Sequence, residues 1–491
     1  MPVIEAMTDG PKTIFMEKVM RFLIPGIIWA CLMSTAPPLL AQQQTEIDIL
    51  RSELAEMRAD YEARIALLEQ RLDEAEKKAG EQTASSDEQT VQTVAQSTPW
   101  QPEPSTSQVR GDGNSAFNPA IGVIFQGQAW AYENDPEDYQ IPGFPLGGHV
   151  HRPEEGFSLG EIEINISANV DDKFTAWLTA PIVIEEGETG IEVEEAWVET
   201  MTLPAGLSLR MGRFYSSIGY LNDKHQHAWD FADNPLVYQA FLGNHYNDDG
   251  LQARWLAPTD FYLELGAEIT RGDQYPAGGA GNSGFGSYTL HALTGGDVGT
   301  SHSWQAGLSY LQAEVEDRES GGGHDHDHDH EEEHDNGPVV FSGDTDLLIA
   351  EFVWKWSPNG NWRQRNFVIQ AEYMWRNEDG SYTLPESGSL PYDTDQQGWY
   401  LQAVYQPFPR WRFGARYDRL SSDYPGDAFI DTPLMPAQNN PRRYSIMADW
   451  SNSEFSRLRL QYMLDKAGIE DDNQVGLQYI FSIGAHGAHS F

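Results

Sequence analysis

From Pro119 onward, apolar and polar side chains take turns along the chain. Phe261, Leu263, Leu265, Ala267 and Ile269 alternate with Tyr262, Glu264, Gly266, Glu268 and Thr270. Phe367, Ile369, Ala371, Tyr373 and Trp375 alternate with Val368, Gln370, Glu372, Met374 and Arg376, and Trp411, Phe413, Ala415 and Tyr417 alternate with Arg410, Arg412, Gly414 and Arg416. A strand exposes successive side chains on opposite faces, so each run carries one greasy and one wet face. Runs of about ten residues with an aromatic near an end match strands that cross a bilayer, apolar face to lipid and polar face inward. A soluble sandwich built from such strands lacks a second apolar face from which to make a core.

Turn signals divide this region. Short connections fall at 170–173, 203–206, 257–260, 295–301, 357–361, 407–410 and 451–454. They alternate with polar loops at 133–156, 215–246, 271–283, 316–342, 378–395 and 422–440 and two short ones at 185–189 and 466–472. Seven turns and eight loops predict sixteen strands, the even count that puts both ends of a bacterial barrel on one side. Strands at 284–294 and 190–202 alternate least well. The first carries the parity: without it the loop at 316–342 changes sides.

Upstream, the period changes. Ile47, Leu50, Leu54, Met57, Tyr61, Ile65, Leu68, Leu72, Ala75 and Ala79 follow steps of three and four with one stutter near Tyr61, a coiled-coil seam over 42–80 that implies self-association, with a homotrimer as the expected form. Residues 81–115, rich in Ser, Thr, Gln and Pro, read as a disordered linker. Residues 1–41 read as a signal peptide with an upstream extension: Lys18 and Arg21 precede an apolar run from Phe22 to Met33, and Ala41 offers a cleavage site. Cleavage there removes Cys31, the single cysteine. The expected fold is therefore an all-β membrane protein, a closed antiparallel β-barrel over 116–491 behind a periplasmic helical coiled coil. The C-terminal Phe491 closes an alternating run, as in the signal read by the outer-membrane assembly machinery.

Composition sharpens this. Aromatics make up 12% of the 491 residues, with 15 tryptophans, as expected where rings line membrane interfaces. The formal net charge of −44 excludes nucleic-acid partners and favours cations. No phosphate-cradling glycine loop, nucleophile elbow or HExxH occurs, so no enzymatic activity is expected.

The layout of 44–491, together with "GRFYSSIGYLNDKHQHAWDFADNP" at 212–235, resembles the coiled-coil-bearing outer-membrane porins, in particular the siderophore porins of the legiobactin-uptake type and, more distantly, the phosphate-selective porins. That resemblance implies a sixteen-stranded barrel and passive uptake; it assigns no ligand residues. TonB-dependent receptors need a globular plug ahead of a larger barrel, and only the coiled coil and linker precede the first strand here.

Three groups of residues carry candidate chemistry. His324, His326, His328, His330 and His334 stand among Asp325, Asp327, Asp329 and Glu331–Glu333 between glycines. Imidazole and carboxylate suit zinc, nickel or copper, and a flexible segment selects weakly among them. The alternative is a solvated acidic loop. In the loop 215–246, His225 and His227 with acidic neighbours offer a second metal site; alternatively Trp229, Phe231, Tyr238, Phe241 and Tyr246 form a packing core with the histidines merely hydrogen-bonded. Finally, the period-two assignment turns Glu161, Glu163, Glu264, Glu268, Glu351 and Glu372 inward, and Arg210, Arg254, Arg412, Arg416, Arg457 and Arg459 as well. They either line a pore with a transverse field or pair as a structural network. The reading that follows is a passive channel in outer-membrane lipid for small polar solutes, divalent metal (zinc) foremost, with no required cofactor. A ferric-siderophore channel and a non-transporting envelope tether are the alternatives.

Overall fold

The computed structural model describes residues 119–134, 139–147, 150, 152–185, 188–278, 284–320, 339–385 and 387–484. The signal peptide, coiled coil, linker, histidine-rich tract and Phe491 lie outside them. Seventeen strand segments follow one another: β1 (Ala120–Tyr132), β2 (Gly156–Asn169), β3 (Phe174–Glu185), β4 (Glu188–Ile191), β5 (Glu195–Thr200), β6 (Leu207–Tyr215), β7 (Asn247–Leu256), β8 (Tyr262–Thr270), β9 (Ser287–Val298), β10 (His302–Ser320), β11 (Val339–Trp356), β12 (Asn366–Leu384), β13 (Gly388–Phe408), β14 (Trp411–Ser422), β15 (Arg442–Ser453), β16 (Ser456–Asp465) and β17 (Asp472–Gly484). Each pairs antiparallel with the next except the short β4, which pairs with β3 alone, and β17 pairs with β1, so the sheet closes on itself. β4 and β5 both pair with β3 and form one stave interrupted at 192–194, giving sixteen staves. The poorly alternating stretch 190–202 is thus a broken stave rather than a continuous one.

The weakly patterned strand at 284–294 is present as β9, paired with β8 and β10. Parity therefore holds. The ends of β10 and β11 that flank residues 321–338, Ser320 and Val339, sit on the long-loop side of the barrel and pair with each other. Two expected loops are corrected. Most of 378–395 is the β12–β13 hairpin, with only 385–387 between the strands, and 316–342 is shortened from both sides by β10 and β11.

The reason is a change of phase. Within the bilayer, outward positions such as Leu308, Leu348, Tyr373 and Leu401 are apolar and exposed. Beyond Tyr310, Leu348, Trp375 and Gln397, which are successive partners across β10–β13, the pattern inverts. Leu311, Ala313, Val315, Phe341, Leu347, Tyr382 and Tyr392 are buried inside, while Gln312, Glu314, Asp346, Asn377, Asp379, Asp393 and Asp395 take the outer parity. Water has replaced lipid outside and a packed core has replaced water inside. The line of inversion marks the membrane boundary.

Aromatic contacts mark the two interfaces. Trp399, Tyr417 and Tyr444 meet in sequence at 5.2 and 4.9 Å, edge-on and then tilted, near the long-loop side, and Trp354, Phe367 and Tyr405 meet edge-on at 6.1 and 6.1 Å near the other. Between these belts the wall faces hydrocarbon. Leu401→Arg, midway between the belts on β13 and exposed on the outer face, is expected to cost about 2–4 kcal/mol, read as a fall in unfolding free energy in lipid vesicles.

Candidate functional site: the loop across the lumen

The segment between β6 and β7, residues 216–246, turns into the barrel. Besides a 3-10 turn at Gln226–Ala228 it carries a short α-helix, α1 (Leu236–Leu242), buried along its whole length. Ile218, Leu221, Trp229, Leu236, Phe241 and Tyr246 join Phe144 and Phe429 from other loops and the inner faces of β10–β14 in one apolar core. A seven-residue helix is too short to hold itself; packing holds it, and Asp418 accepts the Leu236 N–H at its start, 3.1 Å away.

Charge divides this loop into two halves. Its first half is cationic in contact. His225 Nδ1 lies 3.1 Å from Glu194 and Nε2 2.9 Å from Glu195, and His227 Nδ1 lies 2.6 Å from Glu163. A carboxylate only accepts, so contacts at both ring nitrogens call for the doubly protonated imidazolium at His225. Its second half is anionic. Asp230 accepts from Arg412 at 2.7 Å, and Asp233 accepts from Arg416 at 2.6 Å and Arg443 at 2.8 Å. The loop thus matches an acidic wall on β2 and β5 with one half and a basic wall on β14 and β15 with the other.

The remaining inward charges are used in the same way. Glu268 accepts from Ser217 N (2.9 Å), Gln252 (2.7 Å), Thr289 (2.6 Å) and the Ser216 hydroxyl. Glu372 accepts from Tyr238 at 2.9 Å, Tyr400 at 2.5 Å and Tyr220 N at 3.0 Å. Arg459 donates to Asp449 at 2.9 Å and to the Trp229 carbonyl at 2.6 Å; Arg457 donates to the His227 carbonyl at 2.5 Å. Glu264 faces His291 at 3.8 Å. The residues named from sequence as lining a pore therefore all sit on the inner face, and most bind the loop or one another. His225 and His227 stack at 5.9 Å; His227 meets Glu163 directly, while His225 meets Glu194 and Glu195 and lies 3.9 Å from the same Glu163. The five loop aromatics named from sequence, Trp229, Phe231, Tyr238, Phe241 and Tyr246, are buried, and the tract His324–His334 lies outside the described residues.

Sequence reasoning missed the counter-charges. Asp418, Asp449 and Asp465 share the inward parity of the arginines beside them, and that parity was the available signal. Glu194 and Glu195 were hidden by the broken stave.

His225 lies on the loop, outside the spanning strands. Burial opposes its charged form, but the charge of Glu163 and the hydrogen bonds to Glu194 and Glu195 outweigh burial, and its pKa is raised well above the ordinary imidazole value. A raised pKa means that this attachment is complete below about pH 6.5 and is lost as pH rises through the higher folded value. Trypsin cleavage after Lys224, relative to a His225→Asn protein, should therefore accelerate on the alkaline side. An unchanged ratio across that range would contradict the assignment.

No family model matches the chain. The architecture defines a closed β-barrel with a lipid-facing outer band and a loop-crossed interior. A protein of Aquifex aeolicus (strain VF5), described as uncharacterized, is 31% identical over 417 residues, covering 78% of this chain and 82% of that one. The chain belongs to the same family as that protein. Solved barrels of similar outline include the outer membrane protein OmpT of Vibrio cholerae in trimer form (9% identity, 74% of this chain and 99% of that, TM-score 0.44), the anion-selective porin of Comamonas acidovorans (10%, 74% and 99%, 0.44) and OprB of Pseudomonas putida (12%, 74% and 94%, 0.43).

Proposed function

We propose that the protein is a bacterial outer-membrane channel for passive, TonB-independent passage of small polar solutes, cations foremost. The observation that carries this is a closed sheet whose inner face bears charged side chains at every level within the bilayer. On the short-turn side of the loop, Glu199, Arg210, Arg254, Glu264, Arg412 and Asp230 remain partly open to water. The basic wall alone would favour an anionic chelate such as a ferric siderophore, the cargo suggested by the family resemblance. Asp230, Asp233, Asp449 and Asp465 take up its guanidinium groups, so the cation is the better cargo. In this reading the tract His324–His334 captures zinc or a similar ion outside, the coiled coil makes a trimer in the periplasm, and Phe491 is read by the assembly machinery.

One observation favours a second reading. The outer half of the lumen holds a packed apolar core, as a sealed anchor would.

Planar-bilayer recording separates the two. The channel reading expects small unitary steps with cations more permeant than anions; a barrel that conducts nothing is the anchor. Deleting 321–337 should lower zinc accumulation under zinc limitation, and unchanged accumulation would remove the metal role.

A further inference from the structure

Most inward polar groups are partnered, and two of the exceptions face each other across β9 and β10. On β9, His291 is buried and neither ring nitrogen has a hydrogen-bond partner among the described residues. Ser309, directly opposite on β10, is buried with its hydroxyl unpartnered. Buried polar atoms are rarely left bare, and such groups point to a missing water or ion. The seat is built for this. His291 lies flat over Gly266, its partner on β8, where a Cβ would collide with the ring. Glu351 lies in the same way over Gly307, where a Cβ would come within 2.8 Å of its carboxyl carbon. Two glycines thus recess two ionisable side chains into the wall.

Across this recess, His291 Nε2 stands 3.8 Å from Glu264 Oε1. That gap is too long for a hydrogen bond. It suits two atoms that each sit about 2.1 Å from one shared ion. The nearby Arg254 is already held by Glu199 at 2.6 Å. Glu264 is partly open to the short-turn side of the lumen and gives access.

We propose that His291 and Glu264 bind a divalent transition-metal cation of the zinc class on the lumenal wall, with water completing the shell. Two protein ligands make a site that an ion can enter and leave, so it serves as a transit station if the channel reading above holds; binding itself does not require conduction.

Cu²⁺ is the probe, because nitrogen and oxygen sites bind it most tightly among these ions. The background is the full chain with His324, His326, His328, His330 and His334 replaced by serine, folded in detergent. Electron paramagnetic resonance should show a one-imidazole nitrogen coupling displaced by Zn²⁺. His291→Gln should remove that coupling and weaken Cu²⁺ binding roughly tenfold or more. Glu264→Gln, on a different strand, should weaken it similarly while keeping the nitrogen signal, and it decides the matter if His291→Gln does not fold. His302→Gln should change nothing. Equal coupling and affinity in the background and in the foldable variants would overturn the site. Conductance of the same preparations reads the channel separately. A conducting barrel indifferent to His291→Gln loses only the site; a silent barrel that loses Cu²⁺ with His291 loses only the channel.

Discussion

Replacing Asp230 and Asp233 together with alanine is expected to release the lumen loop from the basic wall. Asp233 holds Arg416 and Arg443, and Asp230 holds Arg412. Breaking a buried ion pair from one side costs about 3–5 kcal/mol, because a charge is left without its partner. Here each guanidinium keeps a second carboxylate: Asp418, Asp465 and Asp449. The loss should therefore be smaller, about 2–3 kcal/mol of loop attachment, or roughly 30- to 150-fold in the released fraction. Cleavage by trypsin after Lys224 should accelerate by that factor, and unitary conductance should rise. Cleavage at the parent rate would mean that apolar packing alone holds the loop.

Phe241→Ala tests that packing. The ring has no exposed surface, lies 5.9 Å from Phe144 and carries the Arg376 guanidinium at 4.9 Å. Truncating a buried phenylalanine costs about 3–5 kcal/mol through lost transfer energy and the cavity left behind. Because the sheet closes without this residue, the effect should stay local. Amide exchange over 236–242 should speed by roughly 100-fold or more, while the β14–β17 ladder keeps its protection. Parallel loss of protection in both regions would show that the loop is part of the barrel's own cooperative unit.

The barrel was legible in the sequence because alternation is a local signal wherever lipid is on one side. Phe413 against Arg412, or Leu265 against Glu264, states both faces within two residues. It failed where that boundary condition changes. Above the bilayer, Tyr382 and Tyr392 point inward and Asp379 and Asp393 point outward, so the stretch reads as a polar loop although it is strand. The broken stave at 192–194 was illegible because alternation runs through Ile191 and Val193 and slips only where Glu194 and Glu195 stand side by side, with no glycine or proline inside the break to mark it. In the site, the inward direction of Glu268, Glu372, Arg416 and Arg459 followed from parity. Their partners did not, because a contact such as that between Asp233 and Arg443 joins positions far apart in the chain. Composition also concealed the division within "DKHQHAWDFADN": its two halves differ in charge, but only the walls they meet give that difference meaning.

The phase inversion on β10–β13 has a consequence for what that rim encounters. From Leu311 to Ser320 the strand continues past the lipid edge, and at ~3.3 Å per residue and a tilt near 40° it climbs roughly 25 Å. An anionic surface enriches cations only within a Debye length, about 8 Å at physiological ionic strength. The crest of this mast therefore stands beyond the ionic atmosphere of the lipid surface, and any enrichment of cations there falls to its own exposed carboxylates, Glu314, Glu316, Asp317 and Glu319.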